Sequence, residues 1–201
     1  PLLPHEIKPR LALNTDWLEA IVGKRPVSFR CPRLWGSTAV CNALEELGYI
    51  SDASYPMYFH LEQLAPYHPH RNDWTKSGDL RLVEIPNFAD LSIVTGDPYG
   101  RDRDQWPKFR TESAEKLLTH VDNFLSYLDV HHVEQKVLCF YFHPWEFHPM
   151  PEGPIHFGEG SVRPDPFITK NCGGYALKQL KLLIEGLKSR GARFRSAVEI
   201  A

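Results

Sequence analysis

Val137-Leu138-Cys139-Phe140-Tyr141-Phe142-His143-Pro144-Trp145-Glu146 opens with six apolar residues and ends on a polar, proline-stopped segment. Six residues is the length of a strand rather than of a helix. A run without polar alternation suits a strand covered on both faces, as in a parallel sheet packed between helices. Working outward, the same pattern recurs. Val27 to Arg30 reads as a short strand ending at Cys31-Pro32, and Tyr49-Ile50 opens a second that ends at Asp52-Ala53-Ser54. Leu80 to Ile85 is a third, stopped by Pro86, and Arg193 to Glu199 reads as the last.

Helical periods lie between these strands. Ile7 to Val22 carries Leu11, Leu18 and Val22, with Trp17 and Ile21 beside them. Gly23 closes it, and Pro9 is expected in its first turn. Thr38 to Leu47 places Val40, Leu44 and Leu47 on one face before Gly48. Thr111 is expected to cap a helix running through Asp129, with Leu117, Val121, Phe124 and Leu128 inward. Gly174 to Arg190 aligns Ala176, Leu180, Leu183 and Leu187, and Gly191 follows. The alternation is βα repeated, which predicts an α/β fold, either barrel-like or an open sheet. In both, function gathers at the carboxyl ends of the strands.

Composition narrows the classes. The 201 residues suit one domain, 1–201, or a large piece of one, and 42% hydrophobic content excludes a disordered chain. No apolar run approaches the ~18–20 residues that span a bilayer. A net charge of −2 argues against generic nucleic-acid binding. Cys31, Cys41, Cys139 and Cys172 show no CxxC spacing, so a zinc ribbon or thioredoxin motif has no support. Their usage reads as reduced and core-like, which leans towards the cytoplasm; the compartment is otherwise open. The chain starts at Pro1 with no signal peptide before it, so a processed or shortened amino terminus is expected.

Polar residues follow the strand ends. His143 closes the most apolar strand and can titrate near neutrality. The competing reading is a core histidine bonded to a loop. Arg30 ends an apolar strand and calls for a carboxylate partner, either to orient a catalytic acid or as an ordinary ion pair. Asp52 could fix an imidazole tautomer or make an Asx turn into Ala53-Ser54. Two long segments, Tyr55 to Asp79 and Trp145 to Asn171, are rich in aromatics and proline, and aromatic clefts suit sugar rings. Asp102 to Trp106 is a charged loop that could meet substrate or be solvated. His68-Pro69-His70, His131-His132 and His143 with His148 match no defined ligand spacing. No GxGxxG, P-loop or GxSxG motif is present.

Phe29-Arg30-Cys31-Pro32, then Leu47-Gly48-Tyr49-Ile50-Ser51-Asp52-Ala53-Ser54, then Tyr141-Phe142-His143-Pro144-Trp145-Glu146-Phe147, in this order, resemble the NodB-type polysaccharide deacetylases. The resemblance implies a distorted (β/α) barrel and a metal-dependent hydrolase that removes acetyl groups from N-acetylated carbohydrate or cleaves a related C–N bond. It implies that Arg30 orients a catalytic base, that the Arg33 amide is an oxyanion donor, that His143 is the general acid, and that Asp52 tunes it. Trp35 and Trp145 stand beside them as substrate contacts. The family's paired-aspartate motif and its two metal-binding histidines have no counterpart, so this chain supplies no metal ligand of that set. The expectation is therefore the carboxyl-terminal part of the domain, without the first strands. A divalent metal, zinc first, would be held by ligands outside this chain. The implied partners are an N-acetylated glycan and a homo-oligomeric or companion fragment, with no nucleic acid and no membrane span. The alternative is a non-catalytic carbohydrate-binding module on the same fold; a third reading is an unrelated α/β domain.

Overall fold

A computed structural model describes residues 3–151 and 153–201. Helix α1 (Pro4–Val22) starts on a proline and ends at Gly23, whose φ of 75° only glycine adopts without cost. It starts earlier than the periodicity implies, so Pro9 lies inside the helix rather than in its first turn. Strand β1 (Ser28–Phe29) leads into a turn at Pro32–Leu34. Helix α2 (Thr38–Glu46) is capped by Ser37, whose hydroxyl accepts the Val40 N–H at 3.2 Å, and it packs on α1. Strand β2 (Ser51–Asp52) follows, then the short α3 (Met57–His60) and the hairpin β3 (Pro69–His70) and β4 (Asp73–Ser77). Strand β5 (Val83–Glu84) completes a parallel sheet in the order β1-β2-β5.

The apolar run at 137–142 takes the fourth place beside β5. Asn87 bridges Cys139 in parallel, and the Phe88 N–H donates to the Cys139 carbonyl at 2.9 Å. The pairing is a single bridge, shorter than the full strand the sequence implies. Neighbouring residues in a strand alternate faces. The register Ser28↔Ser51↔Val83 therefore looks one way, and Phe29↔Asp52↔Glu84 the other. Among the described residues these parallel segments form an open array; closure into a barrel is not seen.

Further helices join α2 in the main hydrophobic core, against which Phe29 packs. Helix α4 (Lys108–Thr111) precedes α5 (Ala114–Val130), and the cap of α5 is Ser113, not Thr111. The Ser113 hydroxyl accepts the Lys116 N–H at 3.1 Å, whereas the Thr111 hydroxyl donates back to the Pro107 carbonyl. Leu117, Val121, Phe124 and Leu128 are fully buried, as their spacing predicts. The segment 145–171 holds an exposed hairpin, β6 (Ile155–Phe157) with β7 (Gly160–Val162), and then α6 (Pro166–Thr169). Helix α7 (Gly174–Ser189) packs on α5 through Ala176, Leu183 and Leu187.

Arg193 to Glu199 is not a strand. Helix α8 (Ala197–Ile200) forms there because Glu199 accepts both the Ser196 N–H (2.7 Å) and its hydroxyl (2.8 Å), a local cap that outcompetes extended pairing. Its Ala197 and Ile200 cover Ala53, Val83 and Ile85 on the first register face. The apolar stripe of α1 is only partly used. Leu11 packs on the core, while Trp17 and Ile21 stay 63% and 81% exposed.

Candidate functional site

At the carboxyl ends of the parallel segments lies a cleft of about 690 Å³. It brings together Arg30, Arg33, Trp35, His143 and Trp145, five of the six residues singled out by the sequence. Tyr58, Arg101, Asp104, Trp106, Tyr141 and Phe167 also line it. The loop Asp102 to Trp106 thus takes part through Asp104 and Trp106.

The turn after β1 is fixed by the Cys31 N–H donating to the Ser54 hydroxyl at 2.8 Å. Arg33 then adopts φ 58° and ψ 19°, an uncommon left-handed geometry for a side chain-bearing residue. Among the described residues its N–H finds no acceptor. The Arg33 guanidinium lies 5.8 Å from the exposed Trp35 ring. Arg30 is exposed and has no carboxylate partner among the described residues, contrary to the ion pair its position implied. Its guanidinium donates to the Ala53 carbonyl at 3.0 Å and the Phe140 carbonyl at 3.4 Å, contacts the Cys139 sulfur, and lies 5.7 Å from the Tyr141 ring.

His143 is held by Glu146. The turn Pro144–Phe147 brings Glu146 back under its own cap, where Oε1 accepts the His143 N–H at 2.8 Å and lies 3.1 Å from ring Nδ1. A carboxylate is acceptor-only, so this contact places the proton on Nδ1 and leaves Nε2 free. The same Oε1 accepts the Trp106 indole N–H at 2.9 Å, and Oε2 accepts Arg110 Nε at 2.5 Å. Arg110 and Glu146 are both fully buried. The ring of His143 stacks on Trp145 at 5.2 Å and meets the edge of Trp106 at 5.2 Å. It is therefore aimed by a charge network and by aromatic walls, while still partly exposed.

Asp52 is placed elsewhere. It faces α2 on the second register face, is fully buried, and is not part of the cleft lining. The carboxylate on His143 is Glu146, whose role sequence reasoning missed. Asp52 Oδ1 accepts the Ser54 hydroxyl at 2.5 Å. Glu84, its register partner, accepts the Ser54 and Tyr55 N–H groups at 2.8 Å through Oε1. Asp52 Oδ2 and Glu84 Oε2 have no hydrogen-bond partner among the described residues, and Cys41 approaches both side chains. Burial pushes the Asp52 carboxyl up to about 6, against the hydrogen bond from Ser54. Burial, then the neighbouring Asp52, raises Glu84 well above the carboxylate range. Two buried carboxyls this close favour one proton held between them over two charges. An acidic residue interrupting the apolar run Leu80 to Ile85 was the signal for Glu84.

Asp104 forms part of the cleft wall. Its Oδ2 accepts the Tyr141 hydroxyl at 2.5 Å, and burial pushes it up to about 6.

The residues present do not fit a water-activating metal. His143 is the one described imidazole lining the cleft, and its Nδ1 is committed to Glu146. The ligand atoms of Cys41, Asp52 and Glu84 lie within 4.8 Å of one another, but all three side chains are enclosed. Burial also holds the Cys41 thiol protonated. Such a set leaves no open position for water or substrate.

The fold and the cleft define an α/β protein with an aromatic, arginine-lined site around one oriented histidine. No family model matches the chain, and no curated protein matches it. Among solved structures it is similar to a Mycobacterium smegmatis protein provisionally described as a polysaccharide deacetylase, with 16% identity and a TM-score of 0.43. That likeness covers 69% of this chain and 43% of the other, so the chain spans less than half the length of that protein. Agreement this loose carries no argument about activity, which rests on the residues themselves.

Proposed function

We propose that this cleft binds N-acetylated carbohydrate and that the protein is a hydrolase removing the acetyl group. The observation that carries the reading is His143 held at Nδ1 by the buried Glu146 between two tryptophans, with Nε2 left for the cleft. A sugar ring stacks its CH face on Trp145 or Trp35. The acyl oxygen is received by the Arg33 N–H, which stabilises charge developing on it. Neutral Nε2 takes a proton from the attacking water, and Glu146 stabilises the imidazolium formed. The proton passes to the nitrogen as the C–N bond breaks, giving acetate and a free amine. Asp52 acts at a distance, through Ser54 and the Cys31 turn, as a positioning residue. A divalent metal, zinc first, is what the family resemblance implies; no described residue set fits it, and no step here passes through one.

The test is release of free amine from chitotetraose, with and without added zinc. His143→Ala should abolish release while calorimetric binding of the oligomer persists. Near-normal release by His143→Ala would overturn the role. The second reading, a non-catalytic carbohydrate-binding module, is favoured by the single imidazole of the cleft. Binding without hydrolysis by the unaltered protein, with zinc present, would establish it instead.

A further inference from the structure

The cleft is unusually cationic for a chain of net charge −2. Arg30, Arg33 and Arg101 all line it, all are exposed, and none forms an ion pair among the described residues. Arg30 is satisfied by carbonyls and a sulfur, Arg33 lies on Trp35, and Arg101 lies 5.1 Å from the Tyr99 ring. Facing them is one cleft carboxylate, Asp104, set into the wall and bonded to Tyr141. Glu146 beneath is matched by Arg110, and Asp52 looks to the other side of the sheet. Three guanidiniums to one carboxylate leave the cleft positive. Guanidinium forks pair bidentately with carboxylate and with tetrahedral oxyanions such as phosphate better than with hydroxyls. A neutral chitin-like oligomer would leave all three unpaired against its hydroxyls.

We infer that the ligand of this cleft is an acidic saccharide, an N-acetylated oligomer bearing carboxylate or sulfate groups, gripped by Arg33 and Arg101 while its ring stacks on the tryptophans. The inference rests on the reading of the cleft as a saccharide site and specifies its substrate class. Steering by exposed guanidiniums is screened by salt, since the Debye length falls from ~10 Å at 0.1 M to ~3 Å at 1 M.

Calorimetry with three oligomers of equal length tests it: neutral chitotetraose, a hyaluronan tetrasaccharide carrying uronates, and a 6-O-sulfated chitotetraose. At least one acidic oligomer should bind about tenfold or more tighter than the neutral one at low salt, and the gap should close towards ~1 M salt. Whichever acidic oligomer binds tighter identifies the oxyanion. Arg101→Gln and Arg33→Gln should each narrow the acidic-to-neutral ratio severalfold. Neutral binding as tight as acidic overturns the inference and leaves the carbohydrate reading standing; so does a gap indifferent to salt and to both substitutions. Failure of all three oligomers to bind overturns both.

Discussion

Glu146 shows how one carboxylate sets the chemistry of the cleft. It accepts from His143 twice and from Trp106 through Oε1, and from Arg110 through Oε2. Glu146→Gln keeps the shape but puts an amide where the imidazolium needs a negative charge. Turnover should fall on the order of 10–100-fold. The loss should fall on kcat, with KM for the oligomer little changed, because the amide keeps the shape of the turn. Equal losses through kcat and KM would mean a purely structural role. Arg110→Leu tests the other end of the network. It strands a fully buried carboxylate, which costs about 3–5 kcal/mol in comparable buried pairs. Denaturant unfolding should show that loss; a change below about 1 kcal/mol would mean the Arg110–Glu146 pair does not hold the network together. His143, Arg30 and the Pro144-Trp145-Glu146 segment were legible because polar residues after apolar strands stand out. The partner Arg110 was not, because it lies 36 residues from Glu146 and their meeting depends on how α4 docks.

At the scale of elements, the long helices were legible and their ends were less so. Leu117, Val121, Phe124 and Leu128 recur at helical spacing, and tertiary packing had no reason to overrule them. The cap of α5 was misplaced by two residues because Thr111 and Ser113 are both competent cap residues, and only the backbone chooses. Ser113 is extended at φ −162°, while Thr111 still belongs to α4. Ser113→Ala should therefore cost about 0.5–2 kcal/mol, and Thr111→Ala clearly less, by chemical denaturation. Equal losses would return the cap to Thr111. The four-residue α8 was unreadable as a helix for a related reason. Its Ser196-to-Glu199 cap is a local signal buried in a segment whose apolar residues also satisfy a strand pattern. The apolar run at 137–142 predicts a full strand, but only Cys139 pairs, through one bridge to Asn87, since ladder length depends on the neighbour across the sheet. Register is what brought Glu84 opposite Asp52, and a sequence without strand partners does not display register.

Across the whole molecule, buried carboxyls give folding a pH dependence with a definite sign. Asp52 and Asp104 are pushed up to about 6, and Glu84 is raised well above its usual range, each first by burial. Unfolded carboxyls titrate near ~4, so between ~4 and ~6 the native state holds more protons than the unfolded chain. Stability then falls as pH rises through that window, and Glu84 carries the fall further upward. Asp90 works the opposite way. Burial would raise it, but hydrogen bonds from His120, Ser92 and Asn123 outweigh burial and hold it at about 2. Its contribution is present above ~4 and is lost as pH drops towards 2. The thermal midpoint should therefore peak on the acid side, near pH ~4–5, and decline towards pH 8, with about 2–4 °C lost per kcal/mol for a chain of this size. Glu84→Gln separates the cause. The amide still accepts the Ser54 and Tyr55 N–H groups and can donate to Asp52 Oδ2, so it imitates the protonated acid and should flatten the decline while folding normally. Glu84→Ala, which leaves Asp52 facing a void, should destabilise at every pH by about 1–3 kcal/mol. A midpoint that climbs from pH 5 to 7.5, or a Glu84→Gln protein with the unaltered slope, would show that the two carboxyls do not share a proton across β2 and β5.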